Sequence, residues 1–231
     1  MSLFSQSKFA AWFQAIVSRR REESGLYAEI AGYLPLEGAE RVLDIGTGTG
    51  LQLRVIHQLQ PAVELFGIDL SAAGIEAAGQ ALGDIKVDLR VGSIEKTTYA
   101  DNFFDVITCN SSMSYWENPL ACLNEIYRIL KPGGVAKLFE PHQDIDLDAA
   151  LKQIRENMAD KGPLRRWGAV QLNKYALCRG KRIGLNLYAR DELLELARSS
   201  RFAGNSAVEF TSLLDIPIFV CIYLWKPKLD P

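Results

Sequence analysis

Short continuous apolar runs alternate along this chain with stretches whose apolar residues recur every three or four positions. The runs have the length and composition of buried strands; the periodic stretches suit helices with one face on a core. Strands are predicted at residues 41–45, 64–68, 88–91, 104–109 and 135–139, and two more at 207–210 and 218–225. Helices are predicted between them. One covers 4–20, with Phe9, Phe13 and Ile16 at helical spacing, and another covers 26–33 and ends before Pro35. A third covers 50–59, with Leu51, Val55, Ile56 and Leu59 on one face and Pro61 past its end. Ser71 is placed to cap a helix over 72–82. Pro119 suits the first position of a helix over 119–130, which Lys131, Pro132, Gly133 and Gly134 then stop. A helical pattern dominates 141–189, and a last helix covers 191–199.

This alternation predicts an α/β fold with a doubly wound, mainly parallel seven-stranded sheet and helices on both faces. The length, 231 residues, suits one domain, with 1–36 as N-terminal cover helices and 141–187 as a helical insertion over the substrate. A sheet of this kind binds its ligands at the carboxyl ends of its strands. That rule picks out the glycine loop after the first strand, Asp69 after the second, Ser93 after the third, Asn110 after the fourth and Glu140 after the fifth.

Composition narrows the partners. The formal net charge is −2, which gives no basic footprint for nucleic acid. No apolar run is long enough to span a bilayer and the N-terminus does not read as a signal peptide, so no membrane partner and a cytoplasmic location are expected. The four cysteines, Cys109, Cys122, Cys178 and Cys221, form no C-x-x-C pair, and His57 and His142 are the only histidines. No metal site is expected.

The most specific chemistry lies in Arg41–Gly50, RVLDIGTGTG. A strand, a glycine-rich turn and a helix bring backbone against a nucleotide-like ligand. The spacing is G-x-G-x-G, and Leu51 stands where a dinucleotide fingerprint places its third glycine. Asp44, two residues before Gly46, would repel a diphosphate and attract a cation. Asp69 lies 23 residues beyond Gly46, where a carboxylate can accept from both ribose hydroxyls.

DIGTGTG resembles the first motif of class I S-adenosylmethionine-dependent methyltransferases. A second stretch, FDVITCNSSMSYWENPLACLNEIYRILKPGG, is similar in order and spacing to the small-molecule, type 11-like group of that family. The likeness covers residues 41–134 well and 188–225 loosely, does not extend over 141–187, and implies a Rossmann-like methyltransferase sheet with an antiparallel last strand. It implies that S-adenosylmethionine, leaving as S-adenosylhomocysteine, binds over Asp44, Gly46, Thr47, Gly48, Gly50, Asp69 and Leu70. Ser93 and Ile94 would lie at the adenine, and Asn110 and Ser111 at the methionine part. Ser93 is a departure, since the family usually carries an aspartate there.

The chemistry implied is in-line methyl transfer to a small-molecule acceptor, for which the family carries no single catalytic residue. His142 and Tyr115 are the candidates at the mouth, with Trp116 as a stacking surface, and Tyr27 and the aromatic N-terminal residues Phe9, Trp12 and Phe13 as a cover. Arg165, Arg166 or Arg182 could hold an anionic acceptor. Two other readings stay open: an NAD(P)-dependent oxidoreductase, and an inactive cofactor-binding subunit of a larger assembly. Oligomeric state is not legible.

Overall fold

Val42, Leu43, Asp44 and Ile45 are all buried, so the first strand has no solvent face and must be central. The computed structural model describes residues 25–182 and 186–228 and bears this out. In chain order its elements are α1 (Leu26–Gly32), β1 (Arg41–Ile45), α2 (Leu51–Leu59), β2 (Glu64–Asp69), α3 (Ala72–Leu82), β3 (Val87–Val91) and β4 (Phe104–Asn110). A 3-10 turn (Met113–Tyr115) and α4 (Pro119–Ile129) lead into β5 (Leu130–Pro141). Then come α5 (Leu147–Asn157), α6 (Pro163–Arg182), α7 (Arg190–Ser199), β6 (Ser206–Leu213) and β7 (Ile216–Trp225).

The seven strands form one sheet in the order β3-β2-β1-β4-β5-β7-β6. Pairing is parallel from β3 through β5, and β7 alone runs against its neighbours. Alternation along β1 serves both faces. Leu43 and Ile45 join Phe66, Ile68, Ile107, Leu123 and Ile126 on one side. Val42 joins Leu65, Leu53, Ile56 and Leu82 on the other. No helix among the described residues is long and apolar enough to cross a membrane. The expected helix over 4–20, with Phe9, Trp12 and Phe13, and the side chains of Cys178 and Arg182 lie outside what is described.

Two sequence readings need correction. The buried residues of α2 are Leu51, Gln52, Leu53 and Ile56, so Leu51 and Ile56 of the expected face hold whereas Leu59 is 52% exposed. Leu53 lies off the expected face and is wholly buried because it sits against β2 at Gly67. The second concerns Lys131–Gly134. This segment does stop α4, at Ile129, but the backbone passes straight into β5 from Leu130. Leu130 pairs with Phe104, and Gly133 N–H donates to the carbonyl of Lys226, so the turn residues are drawn into the sheet.

Candidate cofactor-binding site

The carboxyl ends of β1, β2 and β4 meet where the sheet reverses its winding, and the structure brings Asp44, Asp69 and Asn110 to this one edge. The turn after β1 is fixed first. Gly46 N–H and Thr47 N–H both donate to the carbonyl of Ile68 (2.8 and 3.2 Å). Gly46 has φ +69°, and a Cβ built on it would lie 2.4 Å from Cβ of Ser112. The β1 and β4 loops therefore touch at a point where only a hydrogen fits. Gly48 differs: at φ +53°, the nearest atom to a Cβ there would be the Gly46 carbonyl oxygen at 3.9 Å, so its exposed side faces open space. Gly50 caps α2 and lies against Ala78 and Leu82.

Asp69 anchors the loop from the neighbouring strand. Its Oδ2 accepts from Gly48 N–H and its Oδ1 from Ser71 N–H, both at 2.8 Å. Each oxygen keeps a lone pair for a further donor. Asp44 is 3% exposed, and burial pushes its carboxyl up to about 7; Thr47 beside it pulls the other way and the Asp69 charge adds to the rise. A buried carboxyl with so high a pKa gains most from a nearby cation.

The β4 side is organised by Glu140, whose role sequence reasoning did not find. Glu140 lies buried at the end of β5, and its Oε1 accepts from Ser112 N–H at 2.9 Å and Met113 N–H at 3.0 Å. The Cys109 thiol also donates to it, at 3.3 Å. Ser111 turns at φ +56°, its N–H donating to the Phe139 carbonyl and its Oγ to Asn110 Oδ1. Asn110 Nδ2 is buried without a hydrogen-bond partner among the described residues. An acidic residue ending a buried strand was the available signal for Glu140, the same signal that selects Asp44 and Asp69.

The other predicted residues fall as follows. Leu70 is 50% exposed beside Asp69, and Ile94 is buried. Ser93 Oγ accepts from Glu95 N–H, closing the turn after β3. Trp116 and Tyr27 are buried, Trp116 within the core cluster. Tyr115 stands on the turn after β4, 53% exposed. His142 is buried just past β5, its ring edge-on to Phe210 at 4.9 Å and its Nδ1 accepting from Asp144 N–H. Burial holds its pKa below the ordinary value, with Asp144 opposing. Arg165 lies exposed on α6.

This edge fits a cationic nucleoside on three counts of its own: the open side of Gly48, the buried Asp44 carboxyl and the unpartnered Asn110 amide. A family model described as a methyltransferase domain matches residues 43–138. A ubiquinone/menaquinone biosynthesis C-methyltransferase UbiE of Desulfotalea psychrophila is 34% identical over 97 residues, which is 42% of this chain and 39% of that protein. An arsenite methyltransferase of Aquipseudomonas alcaligenes is 32% identical over 161 residues, 64% of this chain and 46% of that protein. The chain thus spans about half or less of the length of these relatives. The crystal structure of the plantazolicin methyltransferase BpumL, in complex with a triazolic desmethylPZN analog and SAH, superposes with a TM-score of 0.68 at 16% identity, covering 97% of this chain and 93% of that one. Residues 43–138 thus match a methyltransferase domain, and the sheet built around them has the fold of the plantazolicin methyltransferase.

Proposed function

We propose that this chain transfers a methyl group from S-adenosylmethionine to a small-molecule acceptor by in-line displacement. One observation carries the reading: two carboxylates, Asp44 and Asp69, end adjacent parallel strands on either side of a loop whose Gly48 faces open space. S-adenosylmethionine, when bound, supplies a methyl group on a positively charged sulfur that is already a good leaving group. Asp44 would face its cationic groups, and Asp69 would accept from the ribose hydroxyls. Leu70, Ser93 and Ile94 would border the adenine, and Asn110 and Ser111 the methionine end.

The protein then has to hold the acceptor in line and close, at about 3 Å, and to exclude water. Residues 141–187 are the proposed cover. A base is needed only if the nucleophile holds a proton tightly. Tyr115 is the better placed of the two candidates, because its side chain is 53% exposed on the turn after β4 while His142 is buried with Nδ1 already engaged. The buried, unlinked Cys109 and Cys122 support a cytoplasmic setting.

Calorimetry on the full chain tests the assignment. S-adenosylmethionine and S-adenosylhomocysteine should bind and NADH should not, and Asp69→Ala and Gly48→Val should each lose most of the affinity. Binding of NADH, or unchanged affinity in both variants, would overturn the site. Methyl transfer from labelled cofactor into a metabolite extract separates an enzyme from an inactive subunit.

A further inference from the structure

Helix α6 carries Arg165, Arg166, Lys174, Arg179, Lys181 and Arg182 and no Asp or Glu, within a chain of net charge −2. The cofactor edge uses none of them. One side of the helix packs on α5, where Val170 meets Leu151 and Ile154 and Ala169 is buried beside them. The opposite side bears Leu164, 80% exposed, and Trp167, 63% exposed, one turn apart. Arg165 and Lys174 are exposed on the two flanks of that pair, and Arg166 is half-buried toward the packed side. Among the described residues Arg165, Arg166 and Lys174 take part in no ion pair.

An outward Trp and Leu amid unopposed cations have the composition of a helix that lies in a lipid interface. The apolar pair enters the boundary of headgroups and acyl chains, and the cations meet lipid phosphates. Apolar residues on the packed side as well explain why the sequence does not read as a one-sided amphipathic helix. A soluble polyanion would use the charges and could stack on Trp167, but it gives Leu164 nothing to bury against.

We propose that α6 docks this protein on an anionic lipid surface, with Leu164 and Trp167 inserted and Arg165, Arg166 and Lys174 on the headgroups. The helix lies on the bilayer and does not cross it. The proposal does not depend on the identity of the cofactor or acceptor.

Flotation of the full chain with vesicles tests it, using phosphatidylcholine alone and phosphatidylcholine with about one third phosphatidylglycerol. The protein should float with the anionic vesicles only. Its tryptophan emission should shift to the blue, and the shift should vanish in Trp167→Phe. Reversing two cations in Arg165→Glu/Arg166→Glu should weaken partitioning about tenfold or more, and Trp167→Ala should weaken it by roughly several-fold. Both variants should keep the wild-type melting temperature and S-adenosylmethionine affinity, so that lost docking is not lost folding. No flotation would overturn the proposal, as would equal flotation with neutral vesicles or flotation that both variants leave unchanged. Tighter binding to a single-stranded RNA oligomer than to anionic vesicles would overturn it in favour of a polyanion site.

Discussion

Position 46 admits no side chain. A methyl group there would enter Ser112 and also sit at a positive φ. Gly46→Ala should therefore cost about 2–4 kcal/mol of stability, the sum of overpacking and left-handed strain, measured by chemical denaturation. Adding Ser112→Gly should return the overpacking part and leave the strain. Asp44 sets a pH dependence. Its folded pKa, about 7 against 3.8 unfolded, means its contribution to the stability of the cofactor-free protein is full at low pH and is lost as pH rises through about 7. A bound cation favours the carboxylate, so S-adenosylmethionine affinity should rise up to about tenfold per pH unit below 7 and level off above it. Asp44→Asn should flatten that profile in calorimetry. The glycines and both aspartates were legible because their spacing is a local signal. Ser112 was not, since a small polar residue in a loop carries no pattern that reveals which distant backbone it touches.

Glu140 holds the segment between β4 and α4 in shape by accepting two successive backbone N–H groups. Glu140→Ala should leave both without their acceptor. A loss of about 2–3 kcal/mol is expected, with weaker cofactor binding and an unchanged fold by circular dichroism. Glu140→Gln keeps one acceptor oxygen and should fall between. The junction of β4 and β5 rests on Asp105, which accepts from Arg41 N–H and from Lys131 Nζ at 2.9 Å each. Burial alone would raise its pKa, but Lys131 and the backbone donors outweigh that and hold it below the usual range. Strand cores were readable from apolar runs, yet their ends were not. β5 begins five residues before the predicted start because long-range pairing with Phe104 and Lys226 overrides the local turn chemistry of Lys131–Gly134. Part of the α2 face was misjudged for a similar reason: Leu53 and Leu59 are equally apolar, and only the position of the sheet, with Leu53 against Gly67 of β2, buries the first.

A ligand that binds only the folded chain raises its melting point. At a hundredfold excess over Kd, S-adenosylmethionine should add about 2.7 kcal/mol, or roughly 5–10 °C in thermal unfolding, and NADH nothing. The mainly parallel sheet was legible from the alternation of elements and the antiparallel last strand from the family likeness, whereas the strand order carries no local signal. Charge on α6 was also visible in the sequence, but which of its residues face outward depends on α5, which packs against the other side. One further outcome concerns biosynthesis. β7 is wedged between β5 and β6, and on the side of β5 away from β4 Val135 pairs with Trp225. A ribosome that has already delivered the cover helices has not yet delivered the strand that shields β5. Throughout that interval a row of backbone groups lies open to any other nascent chain. Yield of soluble protein should therefore be limited by translation speed across the stretch between α6 and β7 more than by the stability of the finished molecule.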